Sequence, residues 1–158
     1  WRFDLPAVAI TKDVLLVGAS VRPEGSGRED SDIFMAVKDA TGWRSSPYRL
    51  LQSDGVTSWQ IMMDSDDYGG VHFVWYEEDP GTHSSRVYYG NYNVDKVGDF
   101  EVESTPVWQT PTKDYSVWPS IIAFNSQEVH ITLKGKLDDG TQCPYYVYGC
   151  KGNWSNTL

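Results

Sequence analysis

Long hydrophobic runs are missing from this sequence. The longest, such as DVLLVGASV (13–21), are strand-length, well short of the roughly 18 to 20 apolar residues that a membrane-crossing helix needs. Positive charge is scarce too: 13 Lys and Arg stand against 22 Asp and Glu, a net charge of −9. Nucleic acids and anionic lipid surfaces are bound through cations, so neither is an expected partner. Cysteine is limited to Cys143 and Cys150. Seven extended residues span about 23 Å, whereas a disulfide holds its Cα atoms about 5.5 Å apart. The two therefore pair only if the segment between them folds back. No G-x-S-x-G elbow, P-loop or helical period is present. The chain begins WRFDLP without a Met, as a processed chain or an excerpt would.

Aromatic residues are plentiful, with seven Trp and ten Tyr. That much apolar surface marks a folded chain, and 158 residues fit one domain, 1–158, with a sizeable core. In VHFVWY (71–76) Val71, Phe73 and Trp75 fall on one face of an extended strand, and similar β-branched and aromatic stretches recur throughout. The expected class is all-β.

The chain also repeats itself. Val71-His72 of GGVHFVW returns 58 residues later as Val129-His130 of EVHITLKGK, and 57 residues earlier stands Val14-Leu15. The flanks follow: LPAVAI, WQIMMD and WPSIIAF before these positions, then SDIFMAVKD, SRVYYGNYN and PYYVYGCKG after them. Fourth stretches come last, GWRSSPYRL, GDFEVESTPVW and GNWSNTL, with Gly42, Gly98 and Gly152 at the corners. The units run approximately 1–56, 57–114 and 115–158. Four short antiparallel strands per unit at this period predict three propeller blades, with a sandwich of about twelve strands as the competing fold. Closed propellers have about four to eight blades, so three leave two blade faces bare. The expectation is half of a six-bladed ring, closed by a two-fold homodimer or by further chain.

The unit pattern, an apolar strand often led by Pro, then G-x-VH-x-x-W, x-x-Y-Y and G-x-W-S, resembles the repeats of sialidase-like propellers, the BNR or Asp-box relatives. The second unit carries most of it (GGVHFVW, VYY), the third has VH and GNWS, and the first has GWRS. The Asp-box Ser-x-Asp-x-Gly-x-Thr-Trp is not present; SDGVTSW (53–59) has similar letters at another spacing. The resemblance implies a six-bladed fold, a glycan ligand and an extracellular or periplasmic location. The expected function is a non-catalytic carbohydrate-binding or interaction propeller that self-associates. The alternatives are a sialidase-like hydrolase or polysaccharide lyase completed by partner or missing blades, and a purely structural assembly protein. A sialidase would gather three arginines; of Arg2, Arg22, Arg28, Arg44, Arg49 and Arg86, only Arg2 stands near a first strand.

Candidate ligand-binding residues are Trp59 and Trp118, placed just before first strands, and Trp75, Tyr76, Glu77 and Glu78, followed by Asp79, where a second strand ends on the same side. Rings cover apolar sugar faces while carboxylates accept hydroxyls; inter-blade packing and a solvated loop explain the same residues. His72 and His130 occupy one position, with Leu15 as its first-unit counterpart, and read either as structural histidines or as ligand-facing ones. No zinc-ligand spacing joins them. Asp64, Asp66 and Asp67 before Gly69 resemble a short calcium loop, or a hairpin turn with favourable Asp and Gly chemistry. Asn153–Ser155 fits the N-glycosylation triplet.

Overall fold

The computed structural model describes residues 1–26, 31–44, 48–49, 56–95, 100–113, 117–136 and 139–157. Arg28, Ser53, Asp54, Gly55 and Gly98 lie outside them. The described residues form three separate antiparallel sheets and no helix. The first contains β1 (Arg2–Thr11), β2 (Val14–Arg22), β3 (Asp32–Asp39) and β4 (Gly42–Trp43) in that order, with β5 (Tyr48–Arg49) also on β3. The second contains β6 (Thr57–Ser65), β7 (Gly70–Glu78) and β8 (Ser84–Asn93), with β9 (Glu101–Val102) and β10 (Trp108–Lys113) both on β8. The third runs β11 (Ser120–Asn125), β12 (Glu128–Lys136), β13 (Gln142–Cys150) and β14 (Asn153–Thr157). No sheet closes on itself, and no helix among the described residues is long and apolar enough to cross a membrane.

Local chemistry explains the turns. Lys151 and Gly152 both have positive φ, 35° and 82°, the requirement of a two-residue hairpin turn whose twist matches its strands. Asp39 Oδ1 accepts the Thr41 N–H at 2.8 Å and closes the β3–β4 corner. Bulges interrupt β1 between Asp4 and Ala7 and β6 between Trp59 and Met62. Each contains a non-glycine residue at positive φ, Leu5 at 49° and Gln60 at 50°, a conformation that bends a strand and sharpens its twist. Cys143 and Cys150 are free and sit near opposite ends of β13, a single strand that does not fold back.

The register corrects one expected equivalence. Two-residue turns join β1 to β2 and β11 to β12, since Thr11 pairs Val14 and Asn125 pairs Glu128. Counted from those turns, the counterpart of His130 is Leu16, not Leu15. Leu16 pairs Val37 as His72 pairs Asn91 and His130 pairs Tyr148. Leu16 is fully buried and Leu15 is on the other face.

The sheets stack in chain order, with β6 packed against both β1 and β11. One core joins Leu16, Ile33, Met35 and Val37 of the first sheet to Val71, Phe73 and Trp75 of the second. The opposite face of the second sheet, with Val74, Val87 and Tyr89, packs against Val129, Ile131, Leu133 and Val147 of the third. Almost the whole of β7 is therefore interior. Among the described residues, nothing covers the two outermost faces. On the first sheet Val8 and Ile10 are exposed, with Leu15, Val17 and Phe34 half-buried beside them; on the third, Ile122, Phe124 and Tyr148 are exposed.

Candidate functional site

Most of the sequence-predicted residues lie toward the two ends of the second sheet, while Trp118 and His130 belong to the third. At one end Thr57 pairs Glu78, Ser58 pairs Glu77 and Trp59 pairs Tyr76. Trp59 lies inside β6 rather than ahead of it; Trp59, Trp75 and Glu77 are buried, Trp75 in the core shared with the first sheet, and Tyr76 and Glu78 are half-buried. The Arg22 guanidinium stands over the Trp59 ring, 5.9 Å from its centroid. Glu77 Oε1 is 3.5 Å from both Trp75 Nε1 and Ser58 Oγ. Burial pushes the Glu77 carboxyl above its ordinary range, against the opposing pull of those two donors and of Arg86. The Glu78 carboxylate faces His83 Nδ1 at 3.1 Å, and Asp79 Oδ1 accepts the N–H groups of Gly81 and Thr82.

Trp118 is exposed, just ahead of β11. Because Met62 pairs Val74 and Ser120 pairs Thr132, Trp118 corresponds to Gln60 in the bulge, not to Trp59. The two tryptophans are therefore not one repeated platform. Arg2 and Arg22 share Asp4, at 3.2 and 3.4 Å, while Arg44 meets Asp39 at 3.2 Å.

The histidines lie toward the opposite end. His72 is buried between the second and third sheets, with Nε2 at 3.0 Å from Asp66 Oδ2 and Nδ1 at 2.6 Å from the Tyr89 hydroxyl. A carboxylate only accepts, so Nε2 carries the hydrogen, and in the neutral ring Nδ1 then accepts from Tyr89 O–H. The other oxygen of Asp66 accepts the N–H groups of Tyr68 and Gly70 at 2.8 and 2.7 Å. Burial alone would raise the Asp66 carboxyl; the hydrogen bonds from His72, Gly70 and Tyr68 outweigh it and hold the group below its ordinary value. Burial, reinforced by Glu103, pushes the Tyr89 hydroxyl far up, so it stays protonated. A small cavity of about 140 Å³ beside this chain is lined by Asp66, His72, Asn91, Asn93, Ser126 and Lys151.

Two of the three aspartates proposed for calcium, Asp64 and Asp66, are engaged within the protein. Asp64 Oδ2 accepts the Ala123 N–H at 2.9 Å, tying β6 to β11, and Asp66 closes its own turn. Asp67 is exposed. Among the described residues no group of three or more His, Cys, Asp or Glu is placed to hold a metal ion.

His130 repeats His72 in a different setting. Its Nδ1 hydrogen-bonds the Tyr146 hydroxyl, the same diagonal across two strands that joins His72 to Tyr89, but the ring is on the bare outer face of the third sheet. Its Nε2 stands 3.5 Å from Glu128 Oε1, too poorly placed for a hydrogen bond. Tyr146 and Tyr148 lie side by side, with centroids 5.6 Å apart and planes 21° from parallel. Together with His130, Asn125, Gln127 and Glu128 they form a shallow concavity of about 550 Å³. Sequence reasoning passed over Tyr89 and Tyr146 as site residues, although each is the second tyrosine of its x-x-Y-Y stretch. The signal was their offset from the histidines, 17 and 16 residues, which fits neighbouring antiparallel strands. Compared with known families and curated proteins, the chain matches no family model and no curated relative.

Proposed function

We propose that this chain is a non-catalytic interaction module built of three propeller blades, which self-associates with a second copy to complete a six-bladed ring. The observation that carries the reading is the pair of bare sheet faces, one at each end of the stack, with Val8, Ile10, Ile122 and Phe124 all exposed. Apolar surface of this kind is ordinarily covered by a partner. In a two-fold pair the first sheet of each copy meets the third sheet of the other, and both faces are buried at once. Such an assembly buries more than the ~1,600 Å² of a standard interface. Light scattering at micromolar concentration should report about twice the 17.9 kDa chain mass; a 17.9 kDa particle at every concentration contradicts the reading.

Glycan binding is a second reading, favoured by the Tyr146–Tyr148 platform flanked by Asn125, Gln127 and Glu128. Near-parallel rings offer stacking surface for sugars, and the amides and carboxylate offer hydrogen bonds. Titration of oligosaccharides against protein fluorescence tests it: binding lost in Tyr146→Ala and Tyr148→Ala supports the platform, and binding unchanged in both refutes it. Release of a cleaved sugar would favour instead the glycan-active enzyme completed by further blades.

A further inference from the structure

The stack builds the same kind of junction twice, and its two bare faces are the two halves of a third. At the first junction the face carrying Leu16 and Met35 meets the face carrying Phe73. At the second, the face carrying His72 and Tyr89 meets the face carrying Ile131. By the strand register, Leu16, His72 and His130 are counterparts, as are Val17, Phe73 and Ile131. Each internal junction therefore joins a histidine-type face to an isoleucine-type face. The third sheet leaves a histidine-type face bare, with His130 and Tyr146, and the first leaves an isoleucine-type face bare, with Val17.

The fourth strands mark the contact in more detail. Trp154 follows the β13–β14 turn, pairs Gly149 and sets its ring edge-on to Tyr89, centroids 4.9 Å apart. Trp43 holds the corresponding place after the β3–β4 turn, paired with Lys38, but is 57% exposed. Tyr146 is the counterpart of Tyr89, bonded to its histidine in the same way. One side of this aromatic contact is thus empty on the first sheet and the other side is empty on the third.

We infer that in the self-associated form proposed above, on which this inference rests, Trp43 of one copy packs edge-on against Tyr146 of the other, repeating the Trp154–Tyr89 contact. The occupant of each bare face is a second copy of this chain, because a single chain carries both halves of the junction in the orientation it already uses internally. The contact occurs twice per pair, once at each closing junction.

A double-mutant cycle on the dissociation constant of the dimer, measured by sedimentation over a dilution series, tests the pairing. Trp43→Ala and Tyr146→Ala each remove two contacts per pair and should weaken association about thirtyfold per contact, the scale of an aromatic anchor, or roughly a thousandfold together. The double variant should lose much less than the product of the two. Trp43 is exposed in the single chain, so Trp43→Ala should keep the far-ultraviolet β-sheet spectrum. If the chain dimerises and both variants dimerise as tightly as the parent, or the losses multiply, this pairing is wrong while self-association stands. If the parent chain is monomeric throughout, both fall, and the faces belong to another occupant such as further repeats or a glycan.

Discussion

His72 and His130 occupy the same strand position, reach the same diagonal tyrosine hydroxyl, and live in opposite surroundings. His72 is sealed between two sheets, and its second nitrogen meets the Asp66 carboxylate at 3.0 Å. His130 lies on an outer face with its second nitrogen unsatisfied. In the first sheet the counterpart pair is Leu16 and Met35, fully buried and apolar. A single backbone frame thus accepts either a polar or an apolar pair at this place, so the frame rather than the histidine defines the repeat. The neighbouring sheet decides whether the pair is interior, and among the described residues nothing packs on that side of the third sheet.

The largest expected effect separates covered faces from bare ones. Phe73→Ala empties the junction between the first two sheets and should cost about 3–5 kcal/mol in chemical denaturation, at every protein concentration. Phe124→Ala removes an exposed ring and should cost less than about 0.5 kcal/mol in dilute protein, with a loss that grows as concentration rises. Equal costs for the two at low concentration would break the distinction.

Next in size is the histidine pair itself. His72→Ala leaves the buried Asp66 carboxylate and the Tyr89 hydroxyl short of a partner, a change worth about 3 kcal/mol. His130→Ala removes one hydrogen bond to Tyr146 on a solvated face and should cost below about 1 kcal/mol. Denaturation midpoints of the two variants measure the difference directly.

Much of this arrangement was legible in the sequence. The recurrence of VH, the tyrosine pairs and the glycine corners indicated three four-stranded units, and three antiparallel sheets form. Two features were not legible. The first unit lacks the histidine and tyrosine, so its alignment rested on Val14 and slipped by one residue. The Trp59 and Trp118 equivalence failed for a related reason: a bulge inserts residues that letter matching cannot count. Glu77 was read as part of an open acidic cluster because Glu78 and Asp79 follow it. It is buried on the same face of β7 as Trp75, which packs in the core shared with the first sheet, a tertiary contact that no local pattern announces.

The smallest expected effect is on the pH dependence of stability. The folded Asp66 carboxyl is held below its ordinary value, so its contribution to stability is present above the unfolded pKa, near 4, and is lost as pH falls through the folded value. Wild-type stability should therefore fall more steeply with acid below about pH 4 than that of Asp66→Asn. Parallel acid-unfolding curves would show that the His72 and backbone donors do not favour the carboxylate.

In the proposed assembly the outermost sheet faces are unfinished junctions completed by a second copy. The most direct measurement is the midpoint of thermal unfolding over a hundredfold range of protein concentration. Mass action requires a protein stabilised by self-association to unfold at higher temperature as its concentration rises. Self-association should give a steady increase for the parent chain and a flatter dependence for Trp43→Ala. A midpoint independent of concentration, in a chain that stays folded and monomeric, would contradict it.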